Sequence, residues 1–378
     1  MNQFEKKTFP IKELPSGDHL NLTIYRVKGD KPGPHVHIQS SVHGAELQGN
    51  LVIMEMLRYL QKNPINGSMT LIPLANPQAT NTKFGTTTQG RFNPITGNNW
   101  NRNYTDISSK IDYKTFLDKN IQLEWKDLKT EFKKEIFNQC NFELNSNDFS
   151  IHSSENKKLN LILQKIASTA DIILDLHTGP KACRYLYSAE YQKTQAKDLY
   201  APYTIIIPNE FAGAMDEACF MPWVNLHKHL TEQDIDIDPD VFSFTVELGN
   251  EEEASSIDAI NDCKRILKFL HAQKVVNEKP VLNEQQQFWS ELSNYHSYYS
   301  PCGGLFEPKV KPGEQFEIGD ILANIHCPRK IMNLDAIEEA VISIKAVHNA
   351  ALINHTPTTA IGEGMEMIQV LADLKRWD

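Results

Sequence analysis

The sequence predicts an α/β fold: a sheet flanked by helices, followed by a small all-β domain at the carboxyl terminus. Two observations support this prediction. Through about the first 280 residues, short apolar runs typical of strands alternate with segments of helical periodicity. From about residue 295 onward, short β-like runs are broken by glycine and proline.

Five apolar runs are predicted strands, and three longer segments are predicted helices. The strands are 35–42, 69–74, 171–176, 203–207 and 242–246. Residues 171–176 (DIILDL) are almost continuously apolar, which is typical of a strand covered on both faces. Helical spacing of apolar residues predicts helices over about 45–61, 158–169 and 258–270.

The chain of 378 residues is too long for one ordinary compact core, so we expect two domains. We predict a larger domain over residues 1–290 and a β-rich domain over 291–378. The stretch from about 105 to 157 is rich in Lys, Asn, Asp and Glu and has helical pieces around 114–138. We interpret it as an insertion packed on the outside of the sheet.

Composition and charge narrow the classes of partner. The net charge of −10 disfavours general attraction to nucleic acid or to an anionic membrane. The amino terminus lacks the apolar core of a signal peptide, and no run of about 18 apolar residues predicts a transmembrane helix. The six cysteines are scattered without a CxxC pair, which predicts reduced thiols in a cytoplasmic protein.

Two histidines and a glutamate predict a metal site. His43 and Glu46 lie where a predicted strand gives way to a helix, and their spacing would put both on one face of its first turn. His177 ends another predicted strand. All three are therefore expected at the carboxyl ends of strands, where open α/β sheets build their sites. This ligand set leaves a fourth zinc position open for water, as in catalytic sites.

Each of these segments alone is a weak signal. HxxE matches are common by chance in a chain with 13 histidines, and a histidine that ends a buried strand is more often structural. Other polar residues strengthen the interpretation, since Arg91 and the Asn101-Arg102 pair fall in predicted loops. Glu247 interrupts an apolar run at a strand end, where an ionised carboxylate is costly unless it is paired, used or turned to solvent.

These residues, in this order, resemble the succinylglutamate desuccinylase/aspartoacylase family, a branch of the zinc carboxypeptidase (M14-like) fold. The motifs are short, but their joint order is specific and spans most of the chain. The matching elements are HGAE at 43–46, NP at 76–77, Arg91, NWNR at 99–102, DLHTG at 175–179, VELG at 246–249 and GG at 303–304. The resemblance implies a mixed sheet flanked by helices and a small all-β barrel-sandwich domain that caps the site.

The resemblance also implies a role for each site residue. The ligands of one zinc ion (Zn2+) per chain would be His43, Glu46 and His177. Glu247 would match the general base and acid, and Arg91 would match the arginine that polarises the scissile carbonyl. Asn101 and Arg102 would match the pair that binds a substrate carboxylate.

Two departures separate this chain from the family pattern. Asn99 stands where relatives usually have an aspartate that supports a zinc-binding histidine. Its amide oxygen can still accept the imidazole N–H but is neutral, so we predict a weaker metal site than in relatives with Asp. Residues 103–106 (NYTD) stand where relatives often have Phe-Pro-Gly, so details of the substrate pocket do not transfer.

We therefore expect a zinc-dependent amidohydrolase (deacylase). Zinc-bound water, activated by Glu247, would cleave the amide bond of a small N-acyl amino acid or a related carboxylate-bearing amide. The expected partner is this small-molecule substrate, with neither nucleic acid nor a membrane. The sequence leaves open whether the protein forms a homo-oligomer.

Parts of the sequence are compatible with three other functions. A metallocarboxypeptidase acting on short peptides would use the same metal and base, but a carboxyl-terminal module over the cleft would exclude long peptides. A carrier with a lipoyl-like module would need a lysine in Asp-Lys-Ala or Met-Lys-Met, whereas Lys330 lies in Pro-Arg-Lys-Ile. A zinc protein that has lost catalysis is disfavoured because Glu247 and Arg91 are both present.

Overall fold

The computed structural model describes residues 2–146 and 154–377 and contains a large mixed β-sheet with helices on both faces. The predicted α/β class and mixed sheet are confirmed. From residue 288 onward, the described chain consists of strands joined by turns and short 3₁₀ segments, so the predicted all-β region is confirmed as well. Residues 147–153 of the predicted insertion lie outside the described residues.

Strands and helices have the following bounds. The strands up to residue 250 are β1 (Gln3–Glu13), β2 (His19–Lys28), β3 (Lys31–Ser40), β4 (Asn66–Ile72), β5 (Lys83–Phe84), β6 (Thr87–Thr88), β7 (Ile172–Gly179), β8 (Lys181–Ala182), β9 (Arg184–Ala189), β10 (Tyr203–Ile207) and β11 (Phe242–Asn250). The later strands are β12 (Phe288–Glu291), β13 (Tyr295–Tyr299), β14 (Gly304–Pro308), β15 (Gln315–Phe316), β16 (Ile321–His326), β17 (Val341–Lys345), β18 (Ala350–His355), β19 (Ala360–Ile361), β20 (Glu366–Ala372) and β21 (Lys375–Arg376). The α-helices are α1 (Gln48–Lys62), α2 (Pro77–Asn81), α3 (Tyr113–Asn120), α4 (Trp125–Asn145), α5 (Glu155–Ala167), α6 (Lys193–Ala196), α7 (Met215–Thr231) and α8 (Ser256–Ala272).

Three parallel strands at the centre of the large sheet position the candidate site. The sheet order is β1-β2-β4-β3-β7-β11-β9-β10-β12-β21, so β3, β7 and β11 are neighbours. They run parallel, with Ile38 opposite Leu174 and His177 opposite Glu247. Because parallel strands end at the same edge, the polar residues at their carboxyl ends come close together.

Helices cover both faces of these central strands. On one face, Ile53 of α1 and Phe269 of α8 pack in the same core cluster as Leu174 of β7. On the other face, Phe132 of α4 packs in a cluster that includes Ile173 of β7. Since adjacent residues of β7 are buried on opposite faces, the first half of the strand is continuously apolar, as its sequence predicted.

The first two strands were not predicted from the sequence. β1 forms one edge of the large sheet and pairs with β2 in antiparallel register. Most of its side chains are exposed, and charged residues fill much of its length. An edge strand of this kind buries too little apolar surface to leave a period-two pattern in the sequence.

The carboxyl-terminal strands form two small sheets, with the orders β13-β20-β18-β15 and β17-β16-β14-β19. This region is joined to the rest of the chain by strand pairing in two places. β8 pairs with β18 of the first small sheet. In addition, β12 and β21 extend the large sheet. β12 spans the predicted border between residues 290 and 291, and the division into two domains there stays a prediction. Among the described residues, no helix combines the length and apolar character needed to cross a bilayer.

Asp171 fixes helix α4 of the predicted insertion to the start of β7. Its Oδ1 lies 2.6 Å from Nζ of Lys133 and 2.9 Å from Nζ of Lys129, and its Oδ2 accepts the backbone N–H of His35 at 2.8 Å. Burial alone would raise the pKa of Asp171, but Lys133 and Lys129 outweigh it and hold this pKa below its usual range. The strand that carries His177 is thus anchored at its opposite end.

We predict that Asp171→Asn lowers the free energy of unfolding by about 2 kcal/mol near neutral pH, because two half-buried ammonium groups lose their carboxylate. The folded-state pKa of Asp171 is depressed, so its stabilisation is complete above its unfolded pKa of about 4 and disappears as the pH falls through the folded value.

Urea unfolding of both proteins at neutral and at acid pH measures this difference. Asp240→Asn is the matched control, because Asp240 is 70% exposed and lies 4.0 Å from Lys129, so its change should be close to zero. Equal stability losses for the two variants would contradict the prediction.

Candidate active site

Three buried side chains meet at the carboxyl ends of β3 and β7. Nδ1 of His43 lies 2.7 Å from Oε1 of Glu46, and Nδ1 of His177 lies 2.6 Å from Oε2 of the same carboxylate. Each residue offers one ligand atom, and these atoms lie within 4.8 Å of one another. Imidazole nitrogens and a carboxylate oxygen are typical zinc ligands, so the three predicted residues form a group that could hold a metal ion.

The HGAE segment differs from its expected geometry. Helix α1 begins at Gln48, so residues 43–46 form a tight turn ahead of it, and the predicted helical face is wrong. The backbone N–H of Gly44 donates to the carbonyl of Gly90 at 2.9 Å, and a Cβ at Gly44 would lie 2.2 Å from the backbone of Ala79. This close backbone packing turns the chain before the helix can start.

A further residue contacts the outer nitrogen of each histidine. Oδ1 of Asn99 lies 2.7 Å from Nε2 of His43, where it can accept the imidazole N–H. Oδ2 of Asp175 lies 2.8 Å from Nε2 of His177. No role was predicted for Asp175, although its position two residues before a histidine on the same strand places both on one face. Such partners fix the ring orientation of metal-binding histidines.

The two histidines differ in their tendency to carry a proton. Burial lowers the pKa of His43, and the Glu46 carboxylate does not offset this effect. Burial acts in the same direction on His177, but Asp175 and Glu46 outweigh it and raise the pKa of His177 well above its usual range. The difference between the two pKa values agrees with the group that contacts Nε2 of each ring. This group is the neutral amide of Asn99 for His43 and the carboxylate of Asp175 for His177.

Glu247 is buried and lies opposite His177 in the register of β11 and β7. Its Oε2 has no hydrogen-bond partner in the part of the chain that the structure describes. Burial and the nearby Glu46 carboxylate raise the pKa of Glu247 to about 8. A buried, unpaired carboxyl group that titrates near neutral pH is suited to proton transfer.

Arg91 lies beside the cluster. Its Nη1 is 3.1 Å from Oε1 of Glu46 and 3.3 Å from Oε1 of Glu251. Its Nε and Nη2 donate to no group among residues 2–146 and 154–377. Glu251 was not singled out in the sequence, because an ion pair between residues this far apart in the chain leaves no local signal.

The predicted Asn101-Arg102 pair occupies two different environments. Asn101 is buried, its Nδ2 lies 3.4 Å from Nε2 of His177, and its Oδ1 has no partner among the described residues. Arg102 is exposed, and its Nη1 donates to the backbone carbonyl of Asn101 at 2.7 Å. The structure therefore brings Asn101 to the cluster and leaves Arg102 at the surface beside it.

Tyrosines that the sequence analysis did not identify lie near Glu247. Tyr185 of β9 is opposite Glu247 in register, and its ring centroid lies 5.5 Å from that of Tyr187. Burial and the Glu247 carboxylate raise the pKa of Tyr187 to about 12. Tyr295 of β13 packs against the same apolar cluster as Tyr185 and Tyr187, so the carboxyl-terminal region contacts this side of the site.

Comparison with known proteins gives a family and two similar structures. The family model for the succinylglutamate desuccinylase/aspartoacylase catalytic domain matches residues 32–272. A structure described as a succinylglutamate desuccinylase/aspartoacylase from Shewanella frigidimarina NCIMB 400 is 35% identical, with 100% of this chain and 99% of that chain covered and a TM-score of 0.93. A protein described as belonging to the same family, from Shewanella amazonensis SB2B, is 34% identical, with 99% and 100% covered and a TM-score of 0.92.

More distant structures share the fold. A succinylglutamate desuccinylase/aspartoacylase from Rhodobacter sphaeroides is 16% identical, with 100% of this chain and 96% of that chain covered and a TM-score of 0.66. At this identity the likeness shows the fold alone. A search of curated proteins gave no significant match.

We predict that Asn99→Asp raises the pKa of His43 in the metal-free protein, because a carboxylate behind Nε2 stabilises the imidazolium. Asp175→Asn is the matched reverse change and should lower the pKa of His177. NMR titration of the imidazole resonances measures both values. If neither pKa changes, the outer partner is not the cause of the contrast.

Proposed function

Because the chain belongs to the succinylglutamate desuccinylase/aspartoacylase family, a family of deacylases, we propose that it is a zinc-dependent hydrolase that cleaves the amide bond of a small N-acyl amino acid or a related carboxylate-bearing amide. The observation that carries this proposal is the buried cluster of His43, Glu46 and His177, with the unpaired carboxyl group of Glu247 on the neighbouring strand.

The donor set fits one zinc ion per chain. Two imidazoles and one carboxylate form the protein ligands of many catalytic zinc sites. Asn99 and Asp175 hold the Nε2 atoms, so both Nδ1 atoms face the carboxylate of Glu46. Zinc bound there would act as a Lewis acid toward a carbonyl and would lower the pKa of water. Since Asn99 is neutral, we expect weaker zinc binding than in relatives with aspartate.

Glu247 is the proposed general base and acid. Its ionised form takes a proton from the attacking water, and its protonated form gives a proton to the leaving amine. The raised pKa of about 8 favours the second step. Because the Glu46 carboxylate contributes to this value, a cation that pairs with Glu46 makes Glu247 easier to ionise for the first step.

The remaining polar groups suit binding and orientation of a carboxylate-bearing amide. Nε and Nη2 of Arg91, which donate to no described group, are available to polarise the scissile carbonyl. The guanidinium of Arg102 offers a planar fork for a substrate carboxylate, and Asn101 adds a neutral hydrogen bond. Tyr295 of the carboxyl-terminal region packs beside Tyr185 and Tyr187 next to Glu247, which favours a small substrate over a long peptide.

We predict that Glu247→Gln lowers kcat by about 10²- to 10⁴-fold, because the amide cannot accept and return the proton. Zinc content should not change, since Glu247 is not one of the proposed ligands. Steady-state kinetics and metal analysis of the same preparation measure the two effects. A fully active Glu247→Gln protein would refute the proposed role.

We also predict that removing metal with a chelator abolishes hydrolysis and that added Zn2+ restores it. A panel of N-acyl amino acids, tested beside short peptides with free carboxyl termini, identifies the substrate class. Faster turnover of the N-acyl amino acids supports the deacylase. Faster release of carboxyl-terminal residues from the peptides would instead support a metallocarboxypeptidase.

A further inference from the structure

The turn that follows β11 carries three consecutive glutamates, and each carboxylate contacts a different group. The pairs are Glu251 with Nη1 of Arg91 (3.3 Å), Glu252 with the backbone N–H of Thr88 (2.9 Å), and Glu253 with Nζ of Lys181 (2.7 Å). Of the three, Glu251 is the one whose carboxylate reaches a residue of the proposed site.

The backbone of this turn is tied to both ligand-bearing segments. The N–H of Glu251 donates to the carbonyl of Gly179 at 2.8 Å, two residues after His177. The N–H of Glu252 donates to the carbonyl of Ala45, inside the HGAE turn, at 2.9 Å. Glu251 is therefore fixed relative to the cluster by main-chain bonds, and its carboxylate can hold a partner in a defined place.

Arg91 shares one nitrogen between two carboxylates. Its Nη1 contacts Oε1 of Glu46 and Oε1 of Glu251, and its side chain is 41% exposed while that of Glu46 is 1% exposed. When Glu46 binds a cation, the cation compensates its charge and weakens its attraction for Arg91. Glu251 then remains to hold Arg91, and Arg91 can lose the bond to Glu46 without moving.

We propose that Glu251 is a positioning residue that keeps Arg91 beside the cluster when Glu46 is committed to the metal ion. This inference rests on the proposed function, because it takes Glu46 as a zinc ligand and Arg91 as the group that acts on the scissile carbonyl. In the metal-free protein, both Glu46 and Glu251 bind Arg91. In the zinc-loaded protein, Glu251 alone would bind it. Loss of Glu251 should therefore free Arg91 mainly when zinc is bound.

The first test measures how accessible Arg91 is, independently of activity. Phenylglyoxal modifies free guanidinium groups, and mass spectrometry of the peptide that contains Arg91 gives the rate of its modification. In the unchanged protein, zinc should leave the modification rate of Arg91 almost unchanged, because Glu251 holds Arg91 in both states. In Glu251→Gln, zinc should speed its modification several-fold. Glu253→Gln removes the same charge from the same turn and should behave like the unchanged protein.

The second test is a double-mutant cycle on kcat and KM, with the best substrate from the panel. Glu251→Gln should lower kcat about tenfold with little change in KM, because Arg91 is less well placed in the transition state. The same change in an Arg91→Gln background should have no further effect, since Glu251 acts through Arg91. Glu251→Asp keeps the charge, should lose less activity, and provides the comparison if Glu251→Gln is unstable.

The outcomes separate this inference from the function on which it rests. If zinc leaves the modification rate of Arg91 in Glu251→Gln unchanged, or if the loss of kcat persists in the Arg91→Gln background, the positioning role of Glu251 is wrong while the proposed function stands. If the protein binds no zinc, or if Arg91→Gln is fully active, the proposed function itself is wrong in its metal or in its use of Arg91.

Discussion

The Glu46 carboxylate, buried between two imidazoles, is the contact on which the rest of the site depends. Its side chain is 1% exposed, and a carboxylate at that depth is costly unless charged or hydrogen-bonding groups surround it. Those groups come from separate segments: His43 from the same turn, His177 and the N–H of Thr178 from β7, and Arg91 from a loop. Each of these groups compensates part of the buried charge, so the carboxylate links the turn, the strand and the loop to one another.

The register of the parallel strands β3, β7 and β11 brings the segments around Glu46 together. Apolar clusters on both faces hold β7 between β3 and β11, and Asp171 anchors its other end. His177 and Glu247 then lie opposite each other without help from any loop. The HGAE turn, which carries His43 and Glu46, requires glycine at position 44. The backbone of Gly44 packs so closely against the backbone of Ala79 that a side chain would not fit. Polar side chains on rigid elements keep the distances that proton transfer and metal binding require.

The sequence predicted the features that depend on local residue patterns and missed those that depend on contacts between distant segments. Strands covered on both faces, such as β7 and β10, left strong apolar runs, whereas the exposed edge strand β1 left none. The residues of the candidate metal cluster were predicted because several short motifs occur together in one order, although each motif alone is a weak signal. The helical geometry of HGAE was wrong, because close packing against a distant backbone determines that turn. Glu251 and Tyr295 were missed, since partners far apart in the chain give no local pattern.

The charges around Glu46 would link metal binding at the proposed site to proton release and to the position of Arg91. In the structure, Arg91 and a His177 with a strongly raised pKa provide the positive charge next to this carboxylate. Metal ligands must be deprotonated, so a cation that binds Glu46 and His177 displaces the proton that Asp175 and Glu46 favour. His43, which has a neutral partner in Asn99, gives up its proton more easily. In the proposed zinc site, the neutral Asn99 would make His43 easier to deprotonate but a weaker ligand, whereas Asp175 would keep His177 basic.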